Sequence, residues 1–216
     1  MMNPTPKITL GSGFQIGYGS VLARLEEELA LEPGTHFLVA RNGRGKTTLL
    51  RTLARTLKPL AGEFRATGRV QYLPEDLRFD PELPAKAVFR ALLPAAALEP
   101  ALALAERIEL DVKKPYGRLS TGNRRKTSLI LAEFSAHPTE GNILLLDEPF
   151  SGLDVFARQA FEEMWSQAPA NMLRLVSCHP DYDDMAMRST LLIADGRIRH
   201  LAGRDQNWND LKPLMN

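Results

Sequence analysis

The chain has 216 residues, with 27 lysines and arginines against 26 acids and a net charge of +1. That length suits one domain with a small subdomain and a real core, and the balanced charge speaks against a dedicated nucleic-acid binder, which carries a basic excess. A lone cysteine, Cys178, excludes an internal disulfide and fits a reducing compartment; no run approaches the roughly 20 apolar residues of a membrane span, and "MMNPTPKITL" lacks the pattern of a signal peptide, so a cytoplasmic protein is expected.

Residues 7–32 hold short alternating apolar segments, broken at "GYGS", that suit edge strands of a small antiparallel sheet. "THFLVA" (35–40) reads as a buried parallel strand and runs into "ARNGRGKTTLL" (40–50). Gly43 and Gly45 let the backbone turn tightly and expose its N–H groups, Lys46 brings a mobile positive charge, and Thr47 a hydroxyl suited to Mg²⁺. Leu49, Leu50, Leu53 and Leu57 then recur at helical spacing, which predicts a helix over 45–58 stopped by Pro59, its positive end toward the loop. This is the phosphate-loop pattern G-x-x-x-x-G-K-[ST] with Ala40 at the first glycine.

"GEFRATGRVQYLPE" predicts two strands turning at Gly68, the second ended by Pro74. Residues 76–118 are rich in Ala and Leu, with prolines at 81, 84, 94 and 100, and predict short helices in a separate lobe. In "YGRLSTGNRRK" (116–126), Ser120 or Thr121 caps a helix and Gly122 leaves backbone N–H groups accessible, giving a second helix start suited to an anion. Arg124, Arg125 and Lys126 read as the solvated face of that helix rather than an RNA contact.

"NILLLDEP" (142–149) is a continuous apolar run, as expected of a parallel strand covered on both faces. Ligand sites of open α/β sheets lie beyond the carboxyl ends of strands. Asp147 is therefore placed to hold Mg²⁺ through water beside Thr47, and Glu148 to orient or deprotonate an attacking water. "VFARQAFEEMWSQA" predicts an amphipathic helix with Trp165 in the core or an interface, and "MLRLVSCH" a strand. On that strand Cys178 and His179 point to opposite faces, so Cys178 is assigned to the core and not to a catalytic pair. "LLIADGRIRHLA" is a hairpin turning at Asp195-Gly196. His36, His137 and His200 have no metal-ligand spacing.

These motifs together resemble the nucleotide-binding subunits of ATP-binding cassette (ABC) transporters, over essentially the whole chain. "ARNGRGKTT" looks like Walker A, "LSTGN" (119–123) like the signature, "ILLLDEP" like Walker B, "SGLD" (151–154) like the D-loop, and His179 like the switch histidine. The resemblance implies an α/β fold: a P-loop NTPase core with a mainly parallel sheet, an N-terminal antiparallel β subdomain and a small α-helical subdomain. The core and β subdomain would take about 1–75 and 119–216, and the helical subdomain about 76–118, all in one ABC ATPase domain. It further implies ATP and Mg²⁺ as cofactors. Nucleotide contacts would come from Asn42, Gly43, Arg44, Gly45, Lys46, Thr47 and Thr48, and from Tyr18 stacking on adenine; Glu75 at the Q-loop, Ser120 and Gly122 of the signature, and Asp154 complete them. Thr47 and Asp147 would serve the metal, Glu148 and His179 catalysis.

The departures are Ala40 and Arg41 in Walker A, Thr121 and Asn123 in the signature, and Glu75 for the Q-loop glutamine. None removes a group needed for hydrolysis. In this family two cassettes meet head to tail, with ATP between Walker A of one and the signature of the other. The implied partners are thus a second cassette, as a homodimer or mixed pair, and a membrane-spanning transporter subunit docked just after the Q-loop, with no nucleic acid expected. The protein would sit peripherally on the inner face of the cell membrane. Compact cassettes of this kind resemble those of bacterial exporters. The competing expectation is a soluble ABC ATPase such as those of iron–sulfur cluster assembly; a P-loop GTPase is disfavoured because no N-K-x-D motif occurs.

Overall fold

In the computed structural model, which describes residues 5–167, 169–178, 185–203 and 206–215, the apolar runs become strands and the leucine-spaced segments helices. The chain separates into one unit of Met1–Tyr72, Thr139–Glu148 and Pro169–Asn216, and another of Leu73–Pro138 and Pro149–Ala168.

The first unit opens with strands β1 (Lys7–Leu10), β2 (Gln15–Tyr18), β3 (Ser20–Leu25), β4 (Leu29–Leu31) and β5 (Gly34–Ala40), then helix α1 (Lys46–Leu53). Strands β6 (Phe64–Thr67) and β7 (Arg69–Leu73) follow. Later come β8 (Asn142–Leu146), β9 (Met172–Cys178), β10 (Ser189–Ala194) and β11 (Arg197–Ala202). An antiparallel sheet has the order β4-β1-β6, and a larger sheet the order β2-β3-β11-β10-β5-β9-β8-β7. The centre of the large sheet is parallel, with Phe37 opposite Val176 and Leu146 opposite Val176 on the other side. Every residue of β8 and β9 is buried, which is why Ile143–Leu146 reads as an unbroken apolar run rather than an alternating one, while β9 carries Arg174 and Ser177 among its apolar residues. Leu38, Leu49, Leu53, Leu145, Leu175 and Ile193 belong to one core that also takes in Ile8, Leu10 and Leu31 of the small sheet.

Two local expectations are corrected. The N-terminal strands do not all share the small sheet: β2 and β3 pair with each other and continue the large one. The two strands expected on either side of Gly68 are present, the second ending before Pro74; β6 joins the small sheet and β7 the edge of the large one. Gly68 turns between them at φ 116°, and a Cβ there would stand 2.8 Å from the Gly141 carbonyl oxygen. Helix α1 stops at Leu53, well before Pro59. Arg55 adopts φ 60°, its N–H bonds the Thr52 carbonyl and the Thr56 N–H the Arg51 carbonyl. That pair of bonds is a Schellman closure, hidden in the sequence because the left-handed position holds Arg and not Gly. The Asp195-Gly196 hairpin is present, with φ of 50° and 67°. Trp208 is buried at the start of a further short helix, Trp208–Leu211.

The second unit is helical: α2 (Ala85–Leu92), α3 (Ala95–Arg107), α4 (Thr121–Phe134) and α5 (Val155–Ser166). Pro84 and Pro94 precede α2 and α3, and α3 continues through Pro100. Ala85, Val88, Phe89, Ala101, Leu104 and Ala105 are buried, while Leu83 remains half-exposed. Trp165 of α5 stacks on Phe150 at 5.1 Å and donates its indole N–H to Glu133 of α4 at 2.8 Å. The solvated face expected at Arg124–Lys126 is corrected too. Arg125 and Lys126 are buried, and Arg124 donates to the Tyr116 and Gly117 carbonyls. Basic side chains survive there because backbone carbonyls and a carboxylate accept hydrogen bonds from them.

Candidate functional site

Strand β5 delivers the chain into the loop 41–45, and α1 starts at Lys46. Gly43 and Gly45 take φ of 76° and 109°, which other residues adopt only under strain. Gly45 is the residue before the helix, and the Leu49 N–H bonds its carbonyl at 2.8 Å. Ala40 needs no glycine freedom. It is the last residue of β5, opposite Ile193, and its methyl is fully buried in the core. The positive φ values in this stretch belong to Gly43 and Gly45.

Lys46 is 6% exposed. Its ammonium donates to the Ala40 carbonyl at 3.3 Å and to Asn42 Oδ1 at 3.4 Å, and pairs with Glu148 Oε1 at 3.3 Å. All three contacts exceed the roughly 2.7–2.9 Å of a strong charge-assisted hydrogen bond, so shorter phosphate contacts would displace them at little cost. Glu148 follows β8 with φ 47°, a conformation rare outside glycine and a local strain of the kind that gathers at functional sites.

Asp147 is 1% exposed. Both its oxygens accept hydrogen bonds: Oδ1 from the Ser177 hydroxyl at 2.9 Å, Oδ2 from the Tyr72 hydroxyl at 3.2 Å. Ser177 Oγ in turn accepts the Glu148 N–H at 2.7 Å. Tyr72 reaches Asp147 because β7 lies next to β8, and Ser177 because β9 lies on the other side of β8. Burial first, and then the Asp147 charge, push the Tyr72 phenol up to about 12, so it stays a neutral donor. The Tyr72 hydroxyl first, and the Tyr18 hydroxyl with it, hold the Arg51 guanidinium of α1 above its ordinary value. Tyr18 closes β2 with 56% of its surface exposed, leaving the ring open for stacking.

The donor set fits a hard divalent cation. Asp147 is a buried carboxylate with neutral hydroxyl partners and forms no ion pair to a described cation. A buried anion of that kind calls for a counter-charge, and Thr47, the residue after Lys46 in the first turn of α1, is half-buried. Thr48 is buried and Arg44 exposed.

The remaining expected residues lie in the second unit, except His179, which falls outside the described residues. Glu75 is exposed. Ser120, and not Thr121, caps α4, its Oγ accepting the Asn123 N–H at 3.2 Å. Gly122 packs on the loop 151–154, where a Cβ would meet the Gly152 carbonyl oxygen at 2.5 Å. Asp154 caps α5, with Oδ1 accepting the Ala157 N–H at 2.8 Å. Its Oδ2 pairs at 2.7 Å with Lys126, which also donates to the Ile108 carbonyl at 2.8 Å. The hydrogen bond from Lys126 is the main reason the Asp154 carboxyl sits below the usual range.

Sequence reasoning missed Tyr72, Ser177, Arg51 and Lys126. A signal was present for Ser177, a polar residue inside the apolar run "LRLVSC".

The family model described as ABC transporter matches residues 28–151. A cytochrome c biogenesis ATP-binding export protein, CcmA of Zymomonas mobilis, is 36% identical over 130 residues, covering 59% of this chain and 57% of that protein. A zinc import ATP-binding protein, ZnuC of Pseudomonas fluorescens, is 35% identical over 134 residues, covering 59% and 50%. The chain thus spans about half the length of the curated relatives it matches. Among solved structures, an ATP-binding protein of a putative ABC transporter from Pyrococcus furiosus superposes with a TM-score of 0.66 at 22% identity, covering 80% of this chain and 91% of that one. A bacterial Atm1-family ABC exporter with ATP bound gives 0.75 at 17% identity, covering 99% and 43%. At those identities the likeness is one of fold.

Proposed function

The chain belongs to the ABC transporter family, and from that premise we propose that it is the ATP-binding and ATP-hydrolysing subunit of a membrane transporter, energising solute movement through a separate membrane-spanning subunit. One observation carries the reading: a single lysine of the glycine loop, Lys46, touches Glu148 while Asp147, the residue before it, is clamped from both sides.

In this reading Lys46 exchanges its long contacts for the nucleotide phosphates, and the loop N–H groups around Gly43 and Gly45 cradle them. That exchange frees Glu148, whose carboxylate then accepts a hydrogen bond from the attacking water and orients it toward the γ-phosphate. Tyr18 stacks on the base. Asp147 and Thr47 would hold Mg²⁺, which when bound offsets phosphate charge. Ser120 and Gly122 would meet the γ-phosphate of a nucleotide held by a second cassette. Among the described residues no helix is long and apolar enough to cross a membrane, which agrees with a membrane-spanning step carried by another chain.

Export is the narrower reading, supported by the compact helical segment between Glu75 and Leu119 and by the CcmA relative. The zinc import proteins among the relatives define its competitor. Vesicles carrying the membrane protein that co-purifies with this chain decide the direction, by which side of the bilayer loses solute when ATP is added outside.

The hydrolytic claim is tested by phosphate release with Mg-ATP. Lys46→Ala should abolish turnover or weaken nucleotide binding at least tenfold. Glu148→Gln should keep binding and lower kcat by about 10²–10⁴-fold, the range for a positioned base. Full activity in either variant removes the corresponding assignment.

A further inference from the structure

We propose that Tyr72 is a positioning residue for hydrolysis: its hydroxyl, with that of Ser177, fixes the Asp147 carboxylate in the orientation a divalent cation requires. This role rests on the nucleotide-hydrolysing reading above and gives a part to Tyr72, the first residue of the "YLPE" stretch that leads into the Q-loop position Glu75.

The terminal torsion of an aspartate is broad and roughly two-fold, so burial alone does not aim its lone pairs. Here one hydrogen bond to each oxygen does: Ser177 on Oδ1 at 2.9 Å and Tyr72 on Oδ2 at 3.2 Å. The proton directions are forced. Ser177 Oγ accepts the Glu148 N–H, so its own hydrogen goes to Asp147, and one hydroxyl thereby ties both acids. A carboxylate oxygen can only accept, so the Tyr72 hydroxyl gives its hydrogen to Asp147 Oδ2. Arg51 of α1, the helix that begins at Lys46, adds a positive charge that the Tyr72 hydroxyl favours.

Loss of the Tyr72 hydroxyl should therefore cost metal affinity and spare metal-free nucleotide binding. Tyr72→Phe keeps the ring, which packs against the core of the first unit. The full chain is titrated with Mg²⁺ in the presence of a fluorescent ATP analogue, with phosphate release measured in parallel. For Tyr72→Phe the Mg²⁺ needed for half-effect should rise about tenfold, the scale of one charge-assisted hydrogen bond, while binding in EDTA stays within twofold of native. Arg51→Met should move the same midpoint in the same direction by less. A midpoint shift under twofold in Tyr72→Phe overturns the role. So does a loss of binding that is equal with and without Mg²⁺, since that is what a ring that merely packs would give. If Tyr72→Phe fails to fold, Arg51→Met carries the same two outcomes. A native chain that binds no nucleotide sinks the functional reading itself, whereas native binding with an unmoved variant sinks only Tyr72.

Discussion

At Gly122 one absent methyl group decides how two loops meet. Its φ is not in the left-handed region, so the glycine is required by contact and not by backbone conformation: a Cβ would lie 2.5 Å from the Gly152 carbonyl oxygen. Backbone cannot swing aside as a long side chain can. Gly122→Ala should destabilise the chain by about 1–3 kcal/mol, the usual cost of overpacking, and displace the loop that carries Asp154. Thermal denaturation checks it, and an unchanged midpoint would mean that the two loops separate freely. At this scale the legible residues were those whose type and spacing state their chemistry. Lys46, Asp147 and Glu148 stand in two short stretches, and the structure brings Lys46 and Glu148 into contact. Tyr72 and Ser177 were not legible, because their partnership with Asp147 spans 75 and 30 residues and depends on which strands lie side by side.

At the scale of elements, the strands were readable wherever burial was complete, as in β8 and β9, and the helix ends were less so. The end of α1 turned on Arg55 accepting a left-handed conformation, and the burial of Lys126 on the Asp154 carboxylate and Ile108 carbonyl coming within its reach. Neither is a property of local sequence. A chain of polar side chains across three strands was equally hidden. His36 of β5 sets Nε2 against the Glu32 carbonyl at 2.7 Å, so that nitrogen must carry the hydrogen. Its Nδ1 then accepts from Ser189 of β10 at 2.6 Å, and Ser189 accepts from His200 Nε2 of β11 at 2.8 Å. Burial is the largest cause lowering both histidines from 6.5; the neighbouring His200 lowers His36 further, against the Glu32 carbonyl and carboxylate, the latter paired with Lys7. The sign follows from proton counting. Between the folded values and about 6.5 the unfolded chain binds more protons, so stability falls as pH drops through that window. Glu162, raised by burial, acts in the opposite sense nearer the carboxylate range. The readout is therefore a difference: between pH 7.5 and 5.5 the native chain should lose more of its melting temperature than His36→Gln does. Parallel slopes would remove the histidine chain as the cause.

For the whole molecule, the phosphate loop, Asp147 and Glu148 belong to one compact unit, and Ser120, Gly122 and Asp154 to the other. Each set has a finished local geometry of its own. If a nucleotide must meet both, and two copies supply them to each other, then ATP is the adhesive of a dimer and hydrolysis its release. Glu148→Gln should retain ATP and so trap that dimer. Beside Asp154 stand Val155 and Phe156, exposed by 52% and 82%, and Phe156 is the most exposed large apolar side chain among the described residues. An aromatic left that far in water at the start of α5 is suited to burial against a partner surface. Light scattering on Glu148→Gln should show the 24.0 kDa mass doubling with Mg-ATP and not with Mg-ADP. Adding Phe156→Asp in the same chain should weaken the doubling while leaving nucleotide binding by the monomer intact. A Glu148→Gln chain saturated with ATP that keeps the monomer mass would overturn the two-cassette arrangement. A dimer indifferent to Phe156→Asp would keep that arrangement and move its contact away from α5.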